Sequence, residues 1–274
     1  MTAPAIRTEG LVFVYDGGTR ALDGVDLEIG AGERVAIIGQ NGSGKSTLVR
    51  HFNGLLRATE GNVSVSGQPV AERHVAALAR EVAIAFQNPD RQIFSGRVSS
   101  EVAFGPRNIG VGGAEVETRV SGALSAVGLE ARRDANPYDL GFSQRKLLGL
   151  ASVLAMRTPT VVLDEPTTGQ DARGVQRVRA IVGSLGEEGR TVIAISHDMR
   201  FVAESFERIV VMRAGRILLD GPPDVVFDER NWQTLAATFL EPPLAARIGA
   251  RLGLGTTPTE ESLVAAVRRA EPRN

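Results

Sequence analysis

The chain has 274 residues, of which 43% are apolar and 23% are charged, and its formal net charge is −1. This length allows one large domain with a small appendage or two modest domains, and the composition is that of a globular protein. The near-neutral charge argues against a nucleic-acid binder that works through bulk positive charge. The lack of cysteine excludes disulfides, thiolate zinc sites and a cysteine nucleophile.

Hydropathy gives no indication of a membrane-embedded chain. No stretch approaches the roughly 18–20 uninterrupted apolar residues that a spanning helix needs. The first residues lack a basic segment followed by an apolar core, so we expect no signal peptide. These features predict a cytoplasmic protein without membrane spans.

The first third of the chain alternates between strand and turn patterns. Residues 6–15 predict a strand, and residues 25–29 show the clean alternation of a half-buried antiparallel strand. Residues 35–38 predict a buried strand, followed by a helix that ends near Gly54. Later strand patterns occur at 63–65 and 82–86, on either side of a helical pattern at 75–79.

The middle and last parts of the chain differ in character. Residues 87–157 have helical periodicity and few β-branched runs, which indicates a helical insertion. Strand patterns then resume at 161–164, 191–196, 209–212 and 216–219, with a helix at 172–185. Strand–helix–strand alternation predicts an α/β fold with a largely parallel core. Beyond residue 221 the pattern is helical, with breaks at 242–243 and 253–258.

A glycine-rich turn between the predicted strand at 35–38 and the following helix is the strongest functional signal. It spells G-x-x-x-x-G-K-S, a phosphate-binding loop. Its glycines allow backbone N–H groups to turn inward around phosphate oxygens, and the helix N-terminus adds partial positive charge. The candidate nucleotide-binding residues of this loop are Gly39, Asn41, Gly42, Ser43, Gly44, Lys45, Ser46 and Thr47. Lys45 would reach the β/γ-phosphates and Ser46 would reach Mg²⁺.

Two carboxylates, Asp164 and Glu165, stand at the end of the predicted strand at 161–164. Strand ends often carry acidic residues simply for solvation, but here the phosphate-binding loop lies upstream in the expected order. Asp164 is placed to hold Mg²⁺ directly or through water. Glu165 would then lie beside the γ-phosphate and could orient or deprotonate the attacking water. The pair predicts hydrolysis of a nucleoside triphosphate.

Over residues 6–220 the chain resembles the ATP-binding subunits of ATP-binding-cassette (ABC) transporters. The resemblance implies that Tyr15 stacks on adenine and that Gln87 touches Mg²⁺ and senses the membrane subunit. It implies that residues 169–171 cross a dimer interface. It also implies that His197 binds the γ-phosphate and supports Glu165. Tyr15, Gln87 and His197 could each have a purely structural role, but their shared order along the chain favours the resemblance.

The family's signature, Leu-Ser-Gly-Gly-Gln, is altered. The corresponding stretch is Leu140-Gly-Phe-Ser-Gln144, so Gly141 replaces the serine and Phe142 replaces the first glycine. In the family this segment closes on the ATP of the partner subunit. The resemblance therefore assigns Gly141, Ser143 and Gln144 to a partner's nucleotide. Ser143 could instead cap the following helix. A homodimer would contain two altered sites and a heterodimer with a consensus partner would contain one.

A narrower resemblance involves residues 88–94, Asn-Pro-Asp-Arg-Gln-Ile-Phe, and residues 101–110. These stretches are similar to the ATPase components of energy-coupling factor (ECF) transporters, which take up vitamins or transition-metal ions such as cobalt and nickel. The resemblance implies that the segment with Gln92 and Phe94 lines the groove for a membrane subunit's coupling helix. Ile93 and Phe94 could alternatively be core residues of the insertion.

We therefore expect a P-loop NTPase cassette with a mixed sheet core, an antiparallel β subdomain, a helical subdomain and a C-terminal helical extension. The expected divisions are 1–221 for the cassette, about 88–157 for the inserted helical subdomain, and 222–274 for the extension. Glu165, His197, Gln87 and Lys45 are the candidate catalytic residues, and Ser46, Gln87 and Asp164 are the candidate metal ligands.

In function, we expect a subunit that binds ATP and Mg²⁺ and powers an ECF-type importer from the cytoplasmic face of the membrane. Its expected partners are a second ATPase subunit and a polytopic membrane subunit that binds near residues 87–94, and no nucleic acid. Two other readings remain open: a catalytically weak regulatory subunit of a heterodimeric ATPase pair, and a soluble ABC ATPase outside transport.

Overall fold

A computed structural model describes residues 3–270 of the chain. The first two residues of the predicted cassette and the last four of the predicted extension lie outside this range. Within residues 3–270, ten strands form two sheets. In chain order they are β1 Ile6–Val14, β2 Arg20–Ile29, β3 Arg34–Ile38, β4 Glu60–Val65, β5 Gln68–Pro69, β6 Val82–Ala85, β7 Thr160–Asp164, β8 Thr191–Ile195, β9 Arg208–Arg213 and β10 Arg216–Gly221.

Eleven α-helices accompany the strands within the described residues. They are α1 Lys45–Phe52, α2 Val75–Leu78, α3 Val98–Asn108, α4 Gly113–Val127, α5 Phe142–Met156, α6 Ala172–Glu187, α7 Met199–Ser205, α8 Pro223–Val226, α9 Trp232–Ala236, α10 Leu244–Arg251 and α11 Glu260–Ala270. Among residues 3–270, none of the helices combines the length and the apolarity that crossing a bilayer requires.

The smaller sheet is antiparallel, with strand order β2-β1-β4-β5. In β2 the apolar residues Val25, Leu27 and Ile29 are buried, while Asp26 and Glu28 between them are exposed. Side chains alternate between the two faces of a strand, so this pattern buries one face and leaves the other in solvent. The predicted half-buried antiparallel strand is confirmed.

The larger sheet has strand order β10-β9-β3-β8-β7-β6. All neighbours are parallel except β9 and β10, which form an antiparallel pair at one edge. β3 lies in the interior of this sheet, between β8 and β9. The predicted phosphate-binding loop begins at the carboxyl end of β3. Because β8 and β9 run parallel to β3, their carboxyl ends lie at the same edge of the sheet. The predicted α/β fold with a largely parallel core is confirmed.

The central strands separate two apolar cores. In β3, Val35 and Ile37 pack with the antiparallel sheet and α1, whereas Ala36 and Ile38 pack with the core that contains α3 to α7. Burial on both faces explains why this strand reads as a continuous apolar run rather than an alternating one. At about 25 cal/mol per Å² of buried apolar surface, these cores supply the main force for folding.

Helices α3, α4 and α5 form the group that the sequence predicts between residues 87 and 157. Their buried faces contribute Val102, Val120, Leu124, Leu148 and Ala151 to the core that contains α3 to α7. This group lies in the chain between β6 and β7, which are neighbours in the sheet. The chain therefore leaves the sheet after β6, forms the helical group, and returns to the sheet at the adjacent strand β7.

The chain after β10 is helical, with interruptions where the sequence predicts them. Pro243 is the N-cap of α10, and residues 253–258 separate α10 from α11. Phe227 and Leu235 are buried in the same core as α3 to α7. The Trp232 indole donates a hydrogen bond to the Phe227 carbonyl oxygen at 2.9 Å. These contacts hold the first part of this tail against the main body.

Candidate nucleotide-binding and active site

The loop between β3 and α1 is built on glycines that no other residue could replace. Gly39 has φ 151°, and a Cβ there would lie 2.2 Å from the Met212 carbonyl oxygen. Gly44 has φ 102°, and its Cβ would lie 2.6 Å from the Ala21 carbonyl oxygen. Gly44 is also the N-cap of α1, so the free N–H groups of that helix point to the loop. The close approaches explain the glycines that the motif requires.

Lys45 lies inside the loop. Its ammonium group donates to the carbonyl oxygens of Gly39 and Gln40 at 2.6 and 2.8 Å and lies 3.3 Å from the Ser43 hydroxyl. Burial lowers the pKa of Lys45, and the carboxylates of Glu165 and Asp164 oppose that shift. The positive charge is therefore fixed at the centre of the loop, next to both acidic residues.

The loop opens into a cavity of about 220 Å³. Most of the predicted site residues line it together, although they come from four separate parts of the sequence. The lining residues are Asn41, Gly42, Ser43, Gly44, Lys45, Ser46, Thr47, Gln87, Asp164, Glu165, Ile195 and His197.

Asp164 ends β7 at the floor of this cavity and is only 5% exposed. Burial raises the pKa of its carboxyl group, while the neighbouring Ser46 hydroxyl and the positive charges of Arg50, Lys45 and Lys146 act in the opposite direction. Its buried Oδ1 has no hydrogen-bond partner among residues 3–270. Buried polar atoms are normally satisfied, so an orphaned carboxylate oxygen beside a hydroxyl fits a site for a hard cation such as Mg²⁺.

Glu165 is held from several directions at the turn after β7. Its backbone has φ 53°, a left-handed conformation that is uncommon for a residue with a side chain. Its N–H donates to the Ile195 carbonyl oxygen at 2.9 Å. The Thr168 hydroxyl lies 3.2 Å from Oε2, and His197 Nε2 lies 3.0 Å from Oε1. Backbone and side chain are thus both fixed.

The surroundings of Glu165 and His197 shift the pKa of both groups. Burial raises the pKa of Glu165, and the hydrogen bond from Thr168 opposes the shift. Burial also lowers the pKa of His197, and the charge of Lys45 acts in the same direction. When the imidazole is neutral with its proton on Nε2, this N–H group donates a hydrogen bond to the Glu165 carboxylate. This geometry leaves Glu165 as an oriented acceptor of protons.

Tyr15 lies near the loop without lining the cavity. Its hydroxyl is 3.0 Å from the Thr47 hydroxyl, and its ring packs edge-on against Phe13 with the ring centroids 4.8 Å apart. The side chain is 38% exposed. The residue is therefore partly accessible beside the first turn of α1.

The altered signature lies away from this cavity, at the start of α5. Gly141 is the N-cap, so the prediction that Ser143 could cap the helix is wrong. The Gln144 side chain accepts from the Gly141 N–H at 3.3 Å. The Ser143 hydroxyl donates to Gln170 at 2.8 Å, and the Gln170 amide donates back to the Ser143 carbonyl oxygen at 3.1 Å. None of Gly141, Ser143 and Gln144 contributes to the cavity that holds Lys45.

The segment after Gln87 divides its side chains between core and surface. Ile93 is buried in the core, as one of the two readings of the sequence predicts. Gln92 also points inward, since it accepts from the Phe86 N–H at 3.1 Å and donates to the Gly149 carbonyl oxygen at 2.9 Å. The Gln92 side chain therefore ties this segment to the end of β6 and to α5. Phe94 is 59% exposed and packs edge-on against Phe104.

Two residues that contact Glu165 belong to none of the motifs identified in the sequence. Thr168 binds the carboxylate, and Lys146 donates from its ammonium group to the Glu165 carbonyl oxygen. A compositional signal does exist for the second, because Lys45 and Lys146 are the only lysines in a chain rich in arginine. Thr168 has no comparable signal.

The loop, the paired carboxylates at the end of β7 and the histidine bonded to Glu165 together define an ABC-type P-loop ATPase. A family model described as ABC transporter matches residues 22–168. The energy-coupling factor transporter ATP-binding protein EcfA of Methanocaldococcus jannaschii is 40% identical over 226 residues, which is 82% of this chain and 81% of that protein.

Two further relatives extend the comparison. A putative ABC transporter ATP-binding protein of Caldanaerobacter subterraneus is 42% identical over 256 residues, 93% of this chain, but the chain spans only 45% of that relative's length. The structure of CbiO1 from Clostridium perfringens, described as part of the ABC transporter complex CbiONQ, superposes with a TM-score of 0.75. It is 34% identical, and the match covers 92% of this chain and 99% of that one. The chain belongs to the ABC transporter family of ATP-hydrolysing subunits, in the group of energy-coupling factor ATP-binding proteins.

Proposed function

We propose that the chain hydrolyses ATP to power an ECF-type importer of a vitamin or a transition-metal ion. The observation that carries this proposal is the contact between Glu165 and His197 in the cavity that also contains Lys45. A phosphate cradle, a fixed cation and an oriented carboxylate are the parts that phosphoryl transfer to water needs, because the reaction depends on positioning and charge more than on covalent chemistry.

In this proposal the loop binds the phosphates of ATP. The N–H groups between Gly39 and Thr47 surround them, and the Lys45 ammonium exchanges its carbonyl partners for phosphate oxygens. Tyr15 supplies an exposed ring beside α1 on which adenine stacks.

Ser46, Asp164 and Gln87 would hold Mg²⁺. The unpartnered Oδ1 of Asp164 supports this assignment, since a bound cation would satisfy it. When bound, the ion neutralises negative charge on the phosphates. The three side chains belong to the loop, the end of β7 and the segment after β6, so their joint arrangement depends on the larger sheet.

Glu165 acts as the base in this scheme. The Glu165 carboxylate accepts hydrogen bonds from Thr168 and His197, and in this scheme it accepts a proton from the attacking water. His197 keeps the carboxylate in place and adds a donor beside the γ-phosphate. The left-handed backbone at Glu165 is a local strain of the kind that concentrates at functional sites.

A second ATPase subunit would complete each site. Gly141, Ser143 and Gln144 lie outside the cavity with Lys45, which supports their action on a partner's nucleotide instead. The partner is either a second copy of this chain or a related subunit with a consensus signature. The bond from Ser143 to Gln170 would have to open before the serine hydroxyl could reach a phosphate.

A polytopic membrane subunit would bind near residues 87–94, at the cytoplasmic face of the membrane. The exposed aromatic pair of Phe94 and Phe104 supports this docking site. We assign residues 1–221 to the cassette, with about 88–157 as its helical subdomain, and 222–274 to a C-terminal extension.

The test of hydrolysis is a single-turnover ATPase measurement on the wild type and the Glu165→Gln variant. We expect the substitution to lower the rate by about 10²–10⁴-fold, as for loss of a general base, and to leave ATP binding intact. Equal rates would refute the enzymatic role and favour the catalytically weak regulatory subunit. Purification without any polytopic membrane protein would favour an ABC ATPase outside transport.

A further inference from the structure

Lys146 is a buried cation that the proposed mechanism does not use. It lies in the second turn of α5 and is 8% exposed. Its ammonium group donates to the backbone carbonyl oxygen of Glu165. Within the described residues, this is the one hydrogen bond that Lys146 Nζ makes to the protein. The helix that starts at the altered signature is thereby connected to the turn that carries the general base.

The hydrogen bond from Lys146 is made to a residue whose backbone conformation is unfavourable. Glu165 has φ 53°, and residues held in such sparsely populated regions persist only when their surroundings fix them. The Ile195 carbonyl oxygen fixes the N–H of Glu165. On the carbonyl side the Thr168 N–H contributes a long contact of 3.3 Å, so Lys146 is the stronger donor there. The direction of the Glu165 side chain depends on this peptide.

The placement of the charge also needs an explanation. Burial lowers the pKa of Lys146, and the carboxylates of Glu165 and Asp164 act in the opposite direction. A buried ammonium is costly unless it is paired, so an apolar residue would be the simpler choice in the middle of a helix. The Glu165 carbonyl oxygen is the hydrogen-bond partner that this ammonium group has among the described residues.

We propose that Lys146 is a positioning residue for ATP hydrolysis: its ammonium group holds the Glu165 peptide in the left-handed conformation that aims the carboxylate at the attacking water. This inference rests on the proposed role of Glu165 as the base. Lys146 itself touches neither ATP nor water in this scheme. It acts through the geometry of Glu165 alone.

The test compares Lys146→Met, which keeps an unbranched chain without a donor, with Lys146→Gln, which keeps a donor without the charge. Single-turnover hydrolysis and ATP affinity are measured on the full chain, together with any ATPase partner with which it co-purifies. We expect Lys146→Met to lower the rate by about 10- to 100-fold, because small displacements of a reacting group have effects of that order. ATP affinity should change by less than about threefold, since ground-state contacts remain.

A double-substitution cycle separates positioning from general structural damage. In the Glu165→Gln background, Lys146→Met should cause no further loss of rate, because residues that act as a unit are not additive. Lys146→Gln should recover most of the wild-type rate. Arg230→Met removes an exposed cation, 87% accessible, from the C-terminal part and serves as the control for loss of a positive charge.

The outcomes distinguish the two proposals. A wild-type rate in folded Lys146→Met, or additive losses in the double variant, would overturn the positioning role while leaving Glu165 as the base. A wild-type rate in Glu165→Gln would overturn the proposed mechanism itself. If Lys146→Met does not fold, Lys146→Leu, which likewise lacks a donor, takes its place in the cycle, and additive losses there overturn the inference.

Discussion

At the scale of single residues, the site balances charge within a small volume. Asp164 and Glu165 are buried side by side, and burial raises the pKa of each. Lys45 and Lys146 approach the pair from the loop and from α5. An uncompensated buried charge is strongly destabilising. The positive charges of Lys45 and Lys146 therefore offset part of the cost of burying the Asp164 carboxylate.

His51 gives a residue-scale prediction about pH. It is 1% exposed on α1, its Nδ1 lies 2.8 Å from the Thr47 carbonyl oxygen, and its Nε2 has no hydrogen-bond partner within residues 3–270. Burial lowers the pKa of His51 below that of an unfolded histidine, about 6.5. The unfolded chain therefore binds this proton more readily, and the stability contributed by neutral His51 is present above about pH 6.5 and lost as the pH falls.

The measurement is the melting temperature between about pH 7.5 and 5.5. We expect it to fall with pH in the wild type and to fall less steeply in His51→Gln. His74→Gln, at an exposed histidine, is the matched control and should keep the wild-type slope. An unchanged slope in His51→Gln would contradict the prediction.

At the scale of elements, side chains rather than backbone ladders join the helical group to the sheet. Gln92 connects the end of β6 to α5. Glu101 on α3 is buried, and its carboxylate accepts from the N–H groups of Phe94 and Ser95 at 3.1 and 2.8 Å. These two residues fix the segment between β6 and α3. The exposure of Phe94 is therefore a consequence of how Gln92 and Glu101 anchor the chain around it.

Replacing Gln92 by alanine should loosen this connection. The substitution leaves the Phe86 N–H without its acceptor and removes a side-chain donor from the Gly149 carbonyl oxygen inside α5. An unpaired backbone group of this kind costs about 1–3 kcal/mol. We expect a decrease of that order in the free energy of unfolding, measured by urea titration. Arg91→Gln, at the exposed neighbouring position, should change it by less than about 0.5 kcal/mol. Equal stability of the two variants would exclude the anchoring role.

The elements and most of the cavity could be predicted from sequence because each carries a local signal. Glycine spacing marks the loop, and apolar runs that end in carboxylate or histidine mark β7 and β8. β3, β8 and β7 are parallel neighbours in the sheet, so the carboxyl ends of these strands lie side by side. Gln87 belongs to the same class, since it follows the end of β6.

Other features have no local signal. The inward direction of Gln92 depends on α5, which lies more than fifty residues away in sequence. The contact between Lys146 and Glu165 depends on how α5 packs against the turn after β7. The engagement of Ser143 by Gln170 is likewise a tertiary contact. A pattern read along one chain identifies residue types but not the partners that packing selects.

At the scale of the whole molecule, the surface that would meet a membrane subunit is separate from the nucleotide cavity. Phe94 and Phe104 form their exposed pair on the helical group, whereas Lys45 and Glu165 lie at the sheet. Mechanical coupling between the docking surface and the cavity would pass through Gln87. This residue lines the cavity and precedes Phe94 by seven positions.

Phe94→Asp tests this separation. A charge on the exposed ring position should prevent co-purification with a membrane subunit, because it places an ion in an apolar interface. Single-turnover hydrolysis by the isolated ATPase should remain within about twofold of the wild type, since no reacting group is touched. Val75→Asp, at an exposed apolar residue on α2, is the control that should retain the membrane partner. Retention of the partner by Phe94→Asp would place the docking surface elsewhere.

The scarcity of lysine has a practical consequence for the chemistry of the molecular surface. Lys45 is 6% exposed and Lys146 is 8% exposed, and the remaining basic side chains are arginine or histidine. Apart from the chain's α-amino group, reagents that acylate amines therefore find no accessible target on the folded protein. Modification of Lys45 or Lys146 would report opening of the site, and ATP should slow the labelling of Lys45. Acylation kinetics followed by mass spectrometry would thus give a direct readout of how often this cavity exposes its interior.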